Sequence, residues 1–509
     1  MLGQAMIQGE RVPQLGRSGK YSAVSNPVGS NQQPRLFIGS IKVKVDVFLL
    51  YCFLIFTVVT GATDGIGKAY AEELAKRDFN VILISRTLEK LKNVAKGIEQ
   101  QTRRKTKVIQ LDFTGGPEIY PKVEQELKNM DIGILVNNVG IMYNDEGRFL
   151  EVSDFSEVSV MDGGRFPTCA KPTTPSMLCQ PQDNNGNHIS EQMELFLPQW
   201  ISHLGHLVLS YLVLKQLWKV LNGIRVHIIS RVWRTDLKKY GGWAVVTGAT
   251  DGIGKAYVEE LAKRGFDVVL ISRTLEKLKN VAKGIEQQTG RKTKVIQLDF
   301  SGGPEIYPKV EQELKDLDIG ILVNNVGMTY SEVPVTLLSV PDANERIPAI
   351  MNCNVTSAVQ MTKIVLSKMI QRKKGLIINI SSEIGSHPFP MMTMYSSTKV
   401  FLDYFSRALN TEYKSKGITV QSVMPLAVST NMTRRLKSNI FVKTANDFAR
   451  EALNTVGYTH RTNGCLSHAI QSYFLQLIVS DSFLGSRMMA SVTRKIRKSA
   501  MERARRKQQ

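Results

Sequence analysis

Cysteine is scarce in this chain: there are five in 509 residues, Cys52, Cys169, Cys179, Cys353 and Cys465. An odd, scattered set builds neither a disulfide framework nor a paired zinc spacing, and it suits a reducing compartment. Cys353, close to the residues singled out below, reads as core filler. Aromatics make up only 7% of the chain. They do not interleave with basic runs, which argues against a nucleic-acid reader. No secretory-signal pattern opens the sequence, and no unbroken apolar run reaches the roughly 20 residues that span a bilayer. Acidic residues are outnumbered 45 to 66, leaving a formal charge of +21. With nucleic acid disfavoured, a membrane surface is the expected partner of that excess.

What is present is a repeat. Residues 57–143 recur as residues 244–330 with no insertion and eleven differences. Exposed-type pairs such as Lys90/Lys277 and Gln100/Gln287 match as well. A fold does not demand such matches, so the likeness points to recent duplication. Each copy alternates strand and helix. In the second, Trp243–Thr247 predicts a buried strand, 254–264 a helix, 268–272 a strand, 276–289 a helix, and 295–300 and 319–323 further strands. That alternation predicts an α/β fold with a doubly wound parallel sheet of Rossmann type, preceded by a duplicated N-terminal half-domain. The second copy continues through a long helix, a strand ending before Ser382, a helix carrying Tyr395, and a strand at 419–424, whereas the first stops after Gly140. Half a sheet leaves an open parallel edge and an uncovered face, so instability or opportunistic docking is expected of it.

The chain therefore divides as follows. Residues 1–46 are rich in Gly, Ser, Gln, Asn and Pro and read as disordered. Residues 47–143 are the truncated duplicate, 144–191 an irregular linker, 243–440 the complete domain, and 441–509 C-terminal helices with a basic tail. Between the copies, 195–222 is a membrane-anchor candidate, as a span or as a buried or interfacial helix. Lys215, Lys219 and Arg225 follow its apolar part, which by the positive-inside tendency puts the next domain on the cytoplasmic side.

The chemistry concentrates at 379–399, NISSEIGSHPFPMMTMYSSTK. Tyr395 and Lys399 lie four apart, hence on one helix face, and Ser382 precedes the tyrosine by thirteen residues at a strand end. An ammonium beside a phenol favours the phenolate, and a hydroxyl can hold the same substrate oxygen. Tyr211 and Lys215 repeat the spacing without a serine. The second feature is Thr247-Gly248-Ala249-Thr250-Asp251-Gly252-Ile253-Gly254, a glycine turn between strand and helix that suits a pyrophosphate. At the end of the second strand Arg273 stands where a carboxylate would hold a ribose hydroxyl, which favours a 2'-phosphate and thus NADPH. Asp299 and Asn325 close the third and fourth strands and face the same crevice.

TGATDGIG, NNVG, Asn354 in CNVTS, and Ser382 with Tyr395 and Lys399 together resemble the short-chain dehydrogenase/reductase family, over about 243–433. The likeness extends to its steroid- and long-chain-acyl-reducing members, in GWAVVTGATDGIGKAY, ISRTLEKL, DIGILVNNVGM and PLAVSTNMT. It implies NADPH-dependent reduction of a ketone on a lipophilic substrate, a 17-ketosteroid first (androstenedione to testosterone) and a very-long-chain 3-oxoacyl-CoA as the alternative. A silent scaffold is the rival of another class. Tyr395 would be the general acid and Ser382 would orient the carbonyl. Lys399 would bind nicotinamide ribose and depress the phenol, and Asn354 would hold a relay water. Asp299 would touch adenine and Val428 the nicotinamide amide. A membrane-bound enzyme of the endoplasmic reticulum, pairing as a homodimer through the tyrosine helix, is what the likeness implies. The sequence departs from the family at Glu383, where a small residue is usual, and in NNVG for NNAG. Phe389, Pro390, Met391, Met392 and Met394 offer either an apolar substrate wall or core packing.

Overall fold

The structure, a computed structural model, describes residues 55–140 and 186–478 except 332, 434 and 435, with scattered residues beyond; in the long helix that begins at Gly186, side chains are described from residue 203. The segment expected to be disordered, most of the expected linker and most of the basic tail lie outside the described residues.

The chain divides between Val139 and Gly140 into two compact units. In the first, β1 (Phe56–Thr60), α1 (Gly65–Lys76), β2 (Asn80–Ser85), α2 (Leu88–Thr102), β3 (Thr106–Gln110), α3 (Tyr120–Leu127) and β4 (Ile132–Val136) alternate. Their strands form a parallel sheet in the order β3-β2-β1-β4. One face packs Val59, Val81 and Leu83 against Ala71, Ala75, Leu91 and Ile98 of the two long helices.

The second unit opens with α4 (Gly186–Ile224), which runs on through a π-helical turn (Arg225–Ile229) to Val232. Residues 186–191, expected to be irregular, are its first turns. Then come β5 (Trp243–Thr247), α5 (Gly252–Lys263), β6 (Asp267–Ser272), α6 (Leu275–Thr289), β7 (Thr293–Gln297), α7 (Tyr307–Leu314) and β8 (Ile319–Asn324). The later half adds α8 (Ala343–Met351), α9 (Ser357–Gln371), β9 (Gly375–Ile380), α10 (Thr393–Tyr413), β10 (Ile418–Val423), β11 (Val428–Ser429), β12 (Lys443–Thr444), α11 (Ala445–Asn454), β13 (Arg461–Thr462) and α12 (Leu466–Ile478). Seven strands pair in parallel in the order β13-β10-β9-β8-β5-β6-β7. Strands such as β8 and β9 are buried along their whole length, which is why they read as near-continuous apolar runs.

Strand order reverses between β5 and β8, so a crevice opens at their carboxyl ends. The single long helix expected before β9 is instead α8 and α9 joined by a π-helical turn, Asn352–Thr356. The third strand ends at Gln297, short of Phe300, because Asp299 turns the chain by accepting from the Ser301 backbone N–H at 3.0 Å.

Candidate active site

The register Val246↔Val323 sets the ends of β5 and β8 side by side. Thr247 Oγ1 there accepts the backbone N–H groups of Asn325 and Val326, both at 3.0 Å. The Asn325 amide donates to the carbonyls of Thr247 at 2.9 Å and Gly248 at 3.3 Å. Gly248 sits at φ +68°, and a Cβ on Gly254 would come within 2.2 Å of the Gly248 carbonyl oxygen. Only glycines close this turn, and they leave the amino end of α5 open to an approaching group. Asp251 caps that helix by accepting from the Gly252 N–H at 2.8 Å, so the helix begins two residues earlier than the spacing predicts.

Gly248, Asp251, Gly252, Ile253, Arg273, Asn325 and Val428 line one cleft of about 810 Å³, and Ser382, Tyr395 and Lys399 line it too. The glycine turn and the polar triad, remote in sequence, therefore meet. Gly254 serves the same turn from within its packing. Asp299 stands outside the lining: its Oδ1 is taken by the Ser301 N–H and hydroxyl, and these hydrogen bonds hold the carboxyl below its ordinary range.

Lys399 Nζ lies 5.7 Å from the centroid of the Tyr395 ring and donates to the Ile380 carbonyl at 2.9 Å. Burial pulls its ammonium down to about 8. Burial also pushes the Tyr395 phenol up to about 12, although one side of the ring faces the cleft. The expected depression of the phenol by Lys399 is thus absent from this geometry: desolvation outweighs a cation whose hydrogen bond goes to a carbonyl. Tyr211 and Lys215 have the same 5.7 Å separation on an exposed helix face, where no such cleft surrounds them. Ser382 Oγ reaches the Pro425 carbonyl at 3.4 Å and accepts from the Ile384 N–H at 3.3 Å.

Asn354, on the π-helical turn, is buried. Its Oδ1 accepts from the Met328 N–H at 2.8 Å, and its amide donates to the Met328 carbonyl and to Thr398 Oγ1, both at 3.0 Å. Both amide hydrogens are therefore used by protein, and only Oδ1 has capacity left. A Cβ on Gly327 would meet Lys399 Nζ at 3.4 Å and Asn354 Oδ1 at 3.5 Å, so the three surround one point. The Cys353 thiol is pushed up to about 11 by burial and packs in the core, as filler does. Of the five apolar residues between serine and tyrosine, Met391 and Met392 line the cleft, while Met394 packs beside Tyr330 and Val335.

Sequence reasoning placed Thr247 in the glycine turn without giving it a role, and it missed the Thr430, Asn431 and Met432 loop. Met432 Sδ lies 3.9 Å from the Tyr395 hydroxyl, and Asn431 hydrogen-bonds Asp251 across the cleft mouth. The signal was at hand in PLAVSTNMT, of which only Val428 was singled out.

A doubly wound parallel sheet whose glycine turn shares a cleft with a tyrosine and a lysine defines a dinucleotide-dependent oxidoreductase. The short chain dehydrogenase family matches residues 56–170 and 242–440, and the chain belongs to that family. It is 46% identical over 286 residues to very-long-chain 3-oxoacyl-CoA reductase-B of Danio rerio, covering 56% of this chain and 91% of that protein. Over 271 residues it is 48% identical to 17-beta-hydroxysteroid dehydrogenase type 3 of Homo sapiens, covering 53% and 83%. A solved structure of a short-chain dehydrogenase from Sphingobium yanoikuyae in complex with NADPH is 30% identical, with a TM-score of 0.40, covering 43% of this chain and 86% of that one. The chain is a ketoreductase of the short-chain dehydrogenase type.

Proposed function

We propose that the second unit uses NADPH to reduce the keto group of a lipophilic substrate, and that a 17-ketosteroid is the first choice. The observation that carries this is the meeting of Ser382, Tyr395 and Lys399 with the glycine turn in one cleft. The turn fits the pyrophosphate: a Cβ on Gly248 would come within 2.9 Å of the Asn325 amide, and one on Gly252 within 2.9 Å of Thr430. Arg273 would hold a 2'-phosphate through paired hydrogen bonds, and Lys399 the nicotinamide ribose. When bound, the dihydronicotinamide supplies the hydride. Tyr395, a phenol that is protonated at neutral pH and that burial raises further, donates a proton to the carbonyl oxygen. Ser382 holds that oxygen by hydrogen bond. Asn354 Oδ1 accepts from a water that reloads the tyrosine.

The 3-oxoacyl-CoA alternative is favoured by the nearly equal likeness to reductases of that class. The helix from His203 to Val232 is exposed, apolar and long enough to cross a bilayer. It supports anchoring in a membrane; the endoplasmic reticulum as that membrane, with the catalytic unit on its cytoplasmic side, belongs to this proposal. Phe401 and Tyr404 on α10 are exposed and suit pairing of two chains through that helix. In the first unit Gly61, Gly65, Gly67 and Arg86 recur, but no serine, tyrosine and lysine set follows them.

The test is NADPH oxidation with androstenedione and with a long-chain 3-oxoacyl-CoA. Tyr395→Phe is expected to lose about 10²- to 10⁴-fold in kcat. Equal turnover by the two proteins would end the reading, and the ratio of the two substrates' kcat/KM assigns the ketone.

A further inference from the structure

Glu383 is the residue after the proposed catalytic serine, and its side chain does not enter the cleft. It is buried, and among the described residues every hydrogen-bond donor it meets is neutral: Asn463 Nδ2 donates to Oε2 at 2.7 Å, and Ser472 Oγ and Gln476 Nε2 donate to Oε1 at 2.7 and 3.4 Å. Ser472 and Gln476 belong to α12. Asn463 spends its other amide hydrogen on the Met424 carbonyl at 3.0 Å, and Gln476 also donates to Ser472 Oγ at 3.1 Å. The Glu383 backbone N–H donates to the Pro425 carbonyl at 3.0 Å, the oxygen that Ser382 Oγ also reaches. A second grip lies alongside. His468 of α12 accepts from the Leu426 N–H at 3.3 Å through Nδ1, which leaves Nε2 to donate to the Ala427 carbonyl at 3.2 Å. From the residue after Ser472 on α12, the Tyr473 hydroxyl donates to Gln216 of α4 at 3.1 Å.

A buried carboxylate is costly unless it is fully hydrogen-bonded, and an apolar side chain would fill the same space without that cost. The carboxylate here joins two elements more than seventy residues apart in the chain, and one of them is the peptide that carries Ser382. We propose that Glu383 is a positioning residue: it clamps α12 to the serine peptide, so that the aim of the Ser382 hydroxyl depends on how α12 is seated. Through Tyr473 and Gln216 the same clamp links the serine to the long apolar helix. This rests on the assignment of Ser382 made above.

The experiment uses the full chain and compares Glu383→Ala, Glu383→Gln and Ser472→Ala, each alone and in a Ser382→Ala background, by steady-state kinetics and by NADPH binding through nicotinamide fluorescence. Glu383→Ala is expected to lower kcat on the order of 10- to 100-fold, as a misplacement of about 1 Å does, with NADPH affinity unchanged. Ser472→Ala, which loses a hydrogen bond to the Glu383 carboxylate and leaves Ser382 itself untouched, is expected to lower kcat by several-fold, and Glu383→Gln to fall between. In the Ser382→Ala background none of the three lowers kcat further, because residues that act through one group are not additive. If Glu383→Ala does not fold, the other two carry the test. Wild-type kcat in both, or a loss that persists at full size without the serine hydroxyl, overturns the clamp. An inactive Tyr395→Phe beside fully active Glu383 variants discards the clamp alone; an active Tyr395→Phe discards the site and the clamp together.

Discussion

Leu135 and Leu322 occupy the same place in two copies of one sequence, yet Leu135 is 59% exposed and Leu322 is fully buried. Tyr70 and Tyr257 part in the same way, at 51% and 0%, as do Tyr120 and Tyr307, at 57% and 5%. The local structure of the copies is the same: helices of equal length, matching registers, and a glycine turn at φ +63° in one and +68° in the other. The cover differs. In the second unit Met361, Val365 and Met369 of α9 share a core cluster with Leu322, and Phe448, Ala449 and Ala452 of α11 share one with Tyr257. Among the described residues the first unit has no counterpart of either helix. Identical side chains are therefore core in one unit and surface in the other, and burial of an apolar side chain belongs to the whole fold rather than to the segment.

The comparison can be broken by matched substitutions. Leu322→Ala is expected to cost about 2–5 kcal/mol, and Leu135→Ala under about 0.5 kcal/mol, as a surface change does. Hydrogen exchange on the intact chain reads each copy separately, since peptides spanning Arg103 or Gly290 differ in mass. Equal losses would mean that the first copy is covered after all.

The buried lysine exists only in the second copy and has a pH signature. Because burial lowers Lys399 to about 8 against an ordinary 10.5, the unfolded chain binds the extra proton between those values. Unfolding free energy therefore rises with pH in that window, by at most about 1.4 kcal/mol per pH unit. Below about 8 the full cost of the buried ammonium is present. Lys399→Met is expected to flatten that slope in denaturant titrations, and a slope of the same size in the variant would refute the assignment.

Two of the eleven differences burden the first copy. Asp78 and Arg103 adopt left-handed φ values of 71° and 57° where the second copy has Gly265 and Gly290. A side chain there costs on the order of 1 kcal/mol, so Asp78→Gly and Arg103→Gly are each expected to raise the local stability of the first copy by about that much. Exchange protection that stays unchanged in β2 and α2 would show that no strain was stored.

Much of the site could be read along the chain. The glycine turn, Arg273, Ser382, Tyr395 and Lys399 stand at spacings that fit strand-turn-helix and one-helix-face geometry, and it is their combination that separates them from Tyr211 and Lys215. Asn354 was legible as part of a motif, but the π-helical turn that aims it was not, because such a turn has no compositional mark. The role of Glu383 was illegible, since Ser472 and Gln476 lie 89 and 93 residues away.

By itself the sequence determined the repeat, the alternation of strand and helix, and both glycine turns, because φ preferences, caps and backbone hydrogen bonds act over a few residues. Only the tertiary structure decided which copy buries its apolar face, how far the Lys399 ammonium is desolvated and where the Glu383 carboxylate points. Burial and dielectric environment depend on groups the chain brings together from far apart, and the same local sequence meets different groups in its two places.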